Sequence, residues 1–275
     1  MHSINKTNAK MRGSMIINMN AKKLFDLKNK KGFITGAAQG IGKTIARAFA
    51  DLGAEVAIIG KNYDKLLKTA NEISEETKKK VIAYQCDVSK AESVSEMIKK
   101  YEKDFGGIDF AINNAGIFTG DAALDITPDK FKSVFDVNVF GAFFIAQAAA
   151  RLMIKNRTRG SIISTASMSA QIINIPQTIA NYCASKAALV HLTKALAVEW
   201  AKYNIRVNCV SPGFIQTELL ASMKDMLPIW ESMVPEGSRL GYPEDLIGAF
   251  VFFASDASLF ATGTDLIIDG GYTLL

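Results

Sequence analysis

Three side chains of this chain have the types and spacing needed to protonate a substrate oxygen. Tyr182 and Lys186 are four positions apart, and Ser167 lies fifteen positions upstream of the tyrosine. Residues i and i+4 share one face of a helix, so the phenol and the ammonium would point the same way. Because a nearby ammonium stabilises a phenolate, the spacing predicts that Lys186 lowers the pKa of Tyr182 below its usual value of about 10. Tyr182 would then act as a general acid, with the Ser167 hydroxyl as a second donor to the same oxygen.

A single Tyr-x-x-x-Lys pair arises easily by chance in a lysine-rich chain, so its weight depends on what other chemistry the sequence offers. The only histidines are His2 and His191, and the three cysteines, Cys86, Cys183 and Cys209, are far apart. With so few histidines and cysteines, the sequence predicts no metal site of the usual His/Cys type and no disulfide framework. Carbonyl activation would therefore depend on proton donors. The cysteine usage is typical of a reducing compartment, and we predict a cytoplasmic protein.

The net charge of +5 is concentrated at the N-terminus. Residues 1–31 carry eight Lys/Arg side chains and one acid, so the rest of the chain has a net charge of −2. Because the basic residues lie in an N-terminal tail and do not line a groove, we predict no nucleic-acid partner. Residues 1–20 are predicted to be a disordered leader, with a transit peptide or an upstream start as the alternatives. The longest apolar stretches, such as residues 139–150, look too short or interrupted to cross a bilayer, so no membrane partner is predicted.

The elements that must position these side chains alternate between strand and helix. Short apolar runs predict strands at residues 31–35, 55–60, 81–86, 109–113, 161–165, 205–210 and 265–268, with helical patterns between most of them. The run Val56–Ile59 is continuously apolar, which indicates burial on both faces, as in a parallel sheet. We therefore predict one α/β domain over residues 21–275, a doubly wound parallel sheet in a three-layer α/β/α arrangement.

A glycine-rich turn between the first strand and the next helix has the form of a dinucleotide site. Gly36, Gly40 and Gly42 would let backbone N–H groups approach a pyrophosphate at the helix N-terminus. An acid at the end of the second strand would bind the adenine ribose hydroxyls, but this chain has Lys61 there. We therefore predict NADP(H) as the favoured cofactor, with Lys61 facing the 2′-phosphate. Use of NAD(H), with Lys61 as a solvated surface side chain, is the alternative.

Taken together and in order, these motifs resemble the short-chain dehydrogenase/reductase family over about residues 25–275. The matching motifs are Thr35-Gly36-x-x-x-Gly40-x-Gly42, Asn113-Asn114-Ala115-Gly116, Asn138, Ser167, Tyr182-x-x-x-Lys186, Pro212-Gly213 and Asp269-Gly270-Gly271. The resemblance implies a Rossmann-type sheet, a nicotinamide cofactor and hydride transfer between a carbonyl and an alcohol. It also implies a catalytic tetrad of Asn138, Ser167, Tyr182 and Lys186. In that tetrad Lys186 also holds the nicotinamide ribose, and Asn138 lies in a distorted stretch of helix that holds a water molecule.

The catalytic serine has a neighbour that must be considered. In the family this serine commonly precedes the tyrosine by about thirteen residues, a count that Ser169 would match. The end of the strand at residues 162–166 instead selects Ser167, with the loop before the tyrosine two residues longer. From the register of this strand we predict that Ser167 is the catalytic serine.

The resemblance extends to further residues that are expected to contact the cofactor or cover the substrate. Segment 217–242 would form a mobile lid, unless it is a helix that merely covers the core. The expected cofactor contacts, besides the glycines, Lys61, Tyr182 and Lys186, are Gln39, Ile41, Asp87, Val88, Asn114, Ala115, Gly116, Pro212, Gly213, Ile215 and Thr217.

The loop at residues 167–177 resembles that of the ketose and polyol reductases of the family. Ser169, Asn174, Gln177 and Phe214 are the candidate substrate contacts, although Asn174 and Gln177 could equally bond the loop backbone. We predict reduction of a ketose or a related polyhydroxy ketone. A 3-oxoacyl carrier-protein reductase or another ketone reductase is the runner-up, and a catalytically silent cofactor-binding regulator is the third hypothesis. By family analogy, apolar helix faces would pair across subunits to give a dimer or a homotetramer.

Overall fold

A seven-stranded parallel sheet lies at the centre of the computed structural model, which describes residues 21–275 except residue 219 and the side chains of residues 221 and 222. The leader predicted for residues 1–20 lies outside the described residues. The strand order is β3-β2-β1-β4-β5-β6-β7. The strands are β1 (Lys31–Thr35), β2 (Glu55–Gly60), β3 (Val81–Gln85), β4 (Phe110–Asn113), β5 (Ser161–Thr165), β6 (Arg206–Pro212) and β7 (Asp265–Ile268).

The strand order reverses between β1 and β4, and this reversal decides where a ligand can bind. The chain first builds outward from β1 to β3 and then returns to place β4 on the other side of β1. In doubly wound sheets the connections after two such strands diverge, which opens a crevice outside their carboxyl ends. The glycine turn follows β1, and Asn113-Asn114-Ala115-Gly116 closes β4. Both motifs therefore lie at this crevice.

Helices cover both faces of the sheet, as the continuous apolar strands predict. Along β2, Val56 and Ile58 join one buried core and Ala57 and Ile59 join the other, because successive side chains point to opposite faces. The helices are α1 (Ala21–Leu24), α2 (Gly40–Asp51), α3 (Tyr63–Thr77), α4 (Ala91–Phe105), α5 (Pro128–Phe135), α6 (Ala142–Lys155), α7 (Ala180–Trp200), α8 (Leu227–Ser232) and α9 (Ile247–Ala254). Helices α2, α3 and α9 pack on one face, and α4, α6 and α7 pack on the other. The predicted three-layer fold is confirmed.

A π-helical segment, Asp136–Gly141, joins α5 to α6. Thr127 caps the start of α5 by accepting a hydrogen bond from the backbone N–H of Lys130, with Pro128 at the first helical position. A π-bulge widens one helical turn and disturbs the regular i to i−4 bonding there. The predicted distortion around Asn138 is thus confirmed, while the water molecule assigned to it stays a prediction.

The helical stretch Pro128–Lys155 corrects one expectation from the sequence. Its three segments run continuously for 28 residues, and its most apolar 18-residue window has a mean hydropathy of 1.6, so it is long and apolar enough to cross a membrane. Half of its most apolar window is nevertheless buried inside the protein, where α6 packs on α4 and on the sheet. Burial in the core accounts for its apolar composition.

Candidate active site

A cavity of about 270 Å³ opens at the carboxyl ends of the strands and collects most of the predicted site residues. One wall comes from the end of β5 and the start of α7, and the other comes from the glycine turn and the segments after β4 and β6. The predicted residues that line it are Gly36, Gln39, Gly40, Ile41, Asn114, Ala115, Gly116, Ser167, Ser169, Asn174, Gln177, Tyr182, Lys186, Pro212, Gly213, Phe214, Ile215 and Thr217.

Tyr182 and Lys186 lie on one face of α7, as their spacing predicts. Tyr182 is in the first turn of the helix, and the Lys186 ammonium nitrogen is 5.5 Å from the centre of the tyrosine ring. Lys186 is buried, and its Nζ donates a hydrogen bond of 2.7 Å to the backbone carbonyl of Thr165 at the end of β5. The lysine is thereby tied to the strand that precedes Ser167.

The expected effect of Lys186 on the pKa of Tyr182 is wrong. Burial raises the pKa of Tyr182 to about 12, and a hydrogen bond with Ser167 offsets this only in part. Burial also lowers the pKa of Lys186 to about 8. The sequence shows that the two groups share a helix face but not that both are removed from water. Desolvation disfavours both charged forms, so the neutral phenol dominates.

Ser167 follows β5 and points at the phenol. Its hydroxyl is a hydrogen-bond partner of Tyr182, and its Oγ accepts the backbone N–H of Ser169 at 3.1 Å. Ser169 lies behind it: the two serine oxygens are 3.0 Å apart, and Ser169 also bonds Asn174. The register of β5 therefore identifies Ser167, the serine that contacts the tyrosine. The usual spacing of about thirteen residues would have identified Ser169.

Asn138 is buried in the π-helical segment and holds the loop after β4. Its Oδ1 accepts the backbone N–H of Ile117, and its Nδ2 donates to the Ile117 carbonyl, both at 2.9 Å. Nδ2 also donates to Ser185 Oγ at 3.0 Å, and Ser185 in turn donates to the carbonyl of Tyr182 at 2.8 Å. Asn138 thus connects the π-helical segment to the helix turn that carries the tyrosine.

The glycine turn has the shape needed for a cofactor phosphate group. A Cβ on Gly36 would come within 2.8 Å of the Ala115 backbone, and Gly36 has a φ of 65°, which favours glycine. A Cβ on Gly42 would come within 2.6 Å of the Gly36 backbone oxygen, so this close approach also requires glycine. Asn114 fixes the turn by donating to the carbonyls of Thr35 and Gly36 at 3.1 and 3.2 Å. The residues present fit a dinucleotide.

The three residues expected at the adenine end do not line this cavity. Lys61 follows β2 with its side chain mostly in solvent, and its Nζ is 3.1 Å from a carboxylate oxygen of Asp87, after β3. Hydrogen bonds from Ser89 and Lys61 outweigh burial and hold the pKa of Asp87 below its ordinary value. Val88 is buried and lies where a Cβ on Gly141 would touch it. Lys61, which is predicted to bind the 2′-phosphate of the cofactor, is therefore already paired with the Asp87 carboxylate.

Known proteins resemble this chain over nearly its whole length. The matching family model is described as enoyl-(acyl carrier protein) reductase and covers residues 36–273. Sorbose reductase of Candida albicans is 42% identical over 92% of this chain and 90% of its own, and NADP-dependent mannitol dehydrogenase of Alternaria alternata is 41% identical over 91% and 95%. A short-chain type dehydrogenase/reductase from Mycobacterium marinum superposes with a TM-score of 0.91 at 48% identity, covering 93% of this chain and all of that one. This chain belongs to the short-chain dehydrogenase/reductase family.

A further solved structure of the family contains ligands. Gluconate 5-dehydrogenase from Burkholderia cenocepacia, in complex with NADP and tartrate, superposes on this short-chain dehydrogenase/reductase with a TM-score of 0.88. It is 35% identical and covers 93% of this chain and all of its own. Family membership makes this protein an oxidoreductase with a Rossmann-type fold, as the sequence motifs predict.

An aromatic and sulfur-rich cluster borders the substrate side of this short-chain dehydrogenase/reductase. Phe214 stacks on Trp230 of α8 with ring centres 4.2 Å apart and meets Tyr272 edge-on. Gln177 Nε2 donates to the sulfur of Met223 at 3.5 Å, which links the loop before the tyrosine to segment 217–242. This segment contains a 3-10 stretch, Leu220–Met226, followed by α8, and its inner side chains cover the cavity. The lid motion stays a prediction.

Sequence patterns do not identify several residues that shape the site. Phe118 lines the cavity and meets the Tyr182 ring edge-on at 6.3 Å. Asn181 is fully buried, donates to Thr119 Oγ1 at 2.8 Å and accepts the backbone N–H of Tyr182. A polar residue directly before the tyrosine, on the side of α7 that faces the core, is the available signal for Asn181. For Phe118 the sequence offers only its nearness to Asn113-Asn114-Ala115-Gly116.

Proposed function

We propose that this protein is an NADP(H)-dependent reductase of a ketose or a related polyhydroxy ketone, with the polyol as the reverse substrate. The observation that carries the proposal is the cavity wall that holds Ser167, Tyr182 and Lys186 next to a turn shaped for a dinucleotide. The bound nicotinamide would supply the hydride, which the protein itself has no group to provide.

The proposed proton donor is Tyr182. As hydride reaches the carbonyl carbon, negative charge develops on the oxygen, and a proton from the phenol neutralises it. Ser167 donates a second hydrogen bond to the same oxygen and stabilises the charge in the transition state. The phenol is protonated at neutral pH and has a proton to donate, but the pKa raised by burial makes it a weaker acid than an exposed tyrosine. Lys186, held by Thr165, keeps further N–H donors for the nicotinamide ribose, and Asn138 is proposed as the fourth member.

The preference for NADP(H) rests on Lys61. No carboxylate stands at the end of β2, where an acid would repel a 2′-phosphate. Lys61 is exposed enough to turn from Asp87 to a phosphate, because an exposed ion pair contributes only ~0.2–1 kcal/mol. The relative from Alternaria alternata is named as NADP-dependent, and the structure from Burkholderia cenocepacia contains NADP.

The substrate class rests on the polar loop at residues 167–177 and on the named relatives. Gln177 gives the cavity a hydrogen-bonding side chain, Ser169 and Asn174 add polar groups that bond each other in the same wall, and Phe214 adds an apolar surface. The relatives named as sorbose reductase and mannitol dehydrogenase, and the gluconate 5-dehydrogenase structure with tartrate, support this substrate class.

A 3-oxoacyl carrier-protein reductase is the second candidate. The description of the matching family model refers to the acyl carrier protein, which is the observation that favours it. The polar side chains of Ser169, Asn174 and Gln177 in the cavity wall favour a ketose over an acyl chain. A catalytically silent cofactor-binding protein stays the third hypothesis.

We also propose a cytoplasmic protein that associates into a dimer or tetramer. Phe131, Phe140 and Ile154 are exposed on the otherwise apolar stretch Pro128–Lys155, and Val198 is exposed on α7. Burial of these side chains against a second copy would remove apolar surface from water. Light scattering that shows a monomer would contradict the oligomer.

The proposed function is tested by a substrate panel. NADPH oxidation is followed over a range of substrate concentrations with ketoses, simple ketones and a 3-oxoacyl thioester, and NADP+ reduction is followed in the same way with polyols. We expect the highest kcat/KM with a ketose or its polyol. Preferential turnover of the thioester would support the second candidate, and cofactor binding without turnover on the whole panel would support the third.

A further inference from the structure

The loop before the catalytic tyrosine buries a polar side chain and exposes the apolar ones beside it. Asn174 is only 2% exposed, whereas Ile173 is 70% and Ile175 is 60% exposed. Burying an amide normally costs free energy unless it is hydrogen-bonded, and exposing two isoleucines forgoes the gain from their burial. The reversed pattern indicates that the inward carboxamide has a role that outweighs both losses.

Three buried side chains form a chain of hydrogen bonds that ends at Asn174. Ser169 Oγ lies 2.5 Å from Asn174 Oδ1 and 3.0 Å from Ser167 Oγ. An amide oxygen can only accept, so the Ser169 proton is directed at Asn174. The Ser169 oxygen is then left with lone pairs that face Ser167, and the Ser167 hydroxyl donates to it.

This direction of hydrogen bonding matters because a serine hydroxyl has a single proton. When Ser167 donates to Ser169, it cannot donate the same proton to a substrate oxygen. The backbone N–H of Ser169 occupies a lone pair of Ser167 Oγ, which keeps the oxygen in place while its proton turns. Ser169, the Tyr182 oxygen and the substrate therefore compete for the Ser167 proton.

We propose that Asn174 is a positioning residue that controls, through Ser169, whether the Ser167 proton points at the substrate. The neutral carboxamide accepts the Ser169 proton only moderately strongly, so an arriving carbonyl oxygen can draw the Ser167 proton away. A charged acceptor at the same place would polarise Ser169 and hold the Ser167 proton in the inactive direction, since hydrogen bonds to ions are stronger and strengthen one another along a chain. The proposal rests on the proposed carbonyl reduction.

The position of Asn174 is fixed from a second side. Its backbone N–H faces the thiol of Cys183, the residue after the catalytic tyrosine, and burial raises the pKa of that thiol. Gln171 Nε2 donates to Asp265 of β7 at 2.9 Å and anchors the same loop to the sheet. The carboxamide is thus held against α7 and is suited to transmit small changes to Ser169.

The test replaces Asn174 by an isosteric acid. Asn174→Asp keeps the shape but supplies a carboxylate, and we expect kcat at pH 8 to fall ~10- to 100-fold, approaching the loss of one transition-state donor. As pH falls and the new carboxyl takes up a proton, we expect kcat to recover. The titratable groups that face this part of the cavity are Tyr182, Cys183 and Lys186 on α7 and Glu218 on the opposite wall, so the wild-type pH profile is the baseline.

A double-mutant cycle decides whether Asn174 acts through Ser169. In a Ser169→Ala background, Asn174→Asp should cause no further loss of kcat, because the connection to Ser167 is broken. Independent losses that add, or a rise in KM with an unchanged kcat, would show that Asn174 binds the substrate directly and would overturn the proposal. Ile173→Asp is the matched control, since it puts the same charge on the exposed side of the same loop and is expected to leave kcat unchanged.

A second readout needs no turnover. The 13C shift of the carboxyl introduced by Asn174→Asp, titrated by NMR, should report a higher pKa after Ser169→Ala, because the serine donor that stabilises the carboxylate is gone. An equal pKa in both backgrounds would overturn the proposed contact. Retained NADPH binding confirms that the variants are folded, and a wild-type protein that turns over no carbonyl would contradict the proposed function rather than the contact between Asn174 and Ser169.

Discussion

The two ends of the cleft are built in opposite ways. At the catalytic end, Ser167 and Lys186 are buried, and each has internal hydrogen-bond partners from β5, the loop after it or α7. At the adenine end, Lys61 is exposed and held by one ion pair with Asp87. A side chain with several buried partners has one available geometry, whereas an exposed ion pair contributes little and is easily exchanged. Mutations at the catalytic end should therefore cause large losses of turnover, whereas mutations at the adenine end should change mainly the cofactor preference.

The largest effect is expected for Tyr182→Phe, which removes the proposed acid and keeps the ring. Loss of a general acid typically reduces rate ~10²- to 10⁴-fold, and we expect kcat for ketose reduction to fall within this range. NADPH affinity, measured by fluorescence titration, should change little. A kcat near the wild-type value would show that Tyr182 is not the proton donor and would contradict the proposed difference between the two ends of the cleft.

A smaller effect separates the two serines of the same wall. Ser167→Ala removes a donor to the developing negative charge, and we expect a ~10²- to 10³-fold loss of kcat. Ser169→Ala should change kcat far less, since Ser169 competes for the Ser167 proton and does not donate to the substrate. Steady-state kinetics of both variants checks this order. The reverse order would identify Ser169, which fits the residue count, as the catalytic serine.

At the adenine end, Lys61→Glu should change cofactor preference without changing the chemistry. A charge-assisted hydrogen bond contributes ~1.5–3 kcal/mol, so kcat/KM for NADPH should fall ~10- to 100-fold. The NADH value and the saturated kcat should stay close to wild type. An unchanged ratio of NADPH to NADH efficiency would show that Lys61 is only a surface lysine.

The smallest effect is expected for Asp87→Asn, which releases Lys61 from its partner. An exposed ion pair contributes ~0.2–1 kcal/mol, so NADPH affinity should rise by at most about fivefold. Isothermal titration calorimetry of wild type and variant measures the difference. A lower affinity would indicate that Asp87 contacts the cofactor itself and that the pair is not in competition.

The contrast between the two ends of the cleft also explains which parts of the molecule could be predicted from sequence patterns. The strand and helix order, the glycine turn and the shared face of Tyr182 and Lys186 depend on local periodicity, and the structure has them as predicted. The family motifs located Ser167 because the end of β5 determines its register. These features follow from interactions between residues close in the sequence.

What the sequence could not supply depends on burial and on partners far along the chain. The direction of the Tyr182 pKa shift follows from removal of water around the phenol, which no spacing reveals. The pairing of Lys61 with Asp87 requires knowledge that β2 and β3 are neighbours. The inward turn of Asn174 between two exposed isoleucines reverses the usual pattern of hydrophobicity and is visible only once the loop is folded.

The central claim is that burial, rather than the charge of Lys186, sets the direction of the Tyr182 pKa shift. The direct measurement is NMR titration of 13Cζ-labelled tyrosine, with Tyr182→Phe identifying the resonance. The structure predicts a pKa of about 12, above the ordinary value of 10.0, so the phenol stays protonated through the neutral range. A Tyr182 pKa below 10 would show that the lysine charge outweighs burial and would contradict this account.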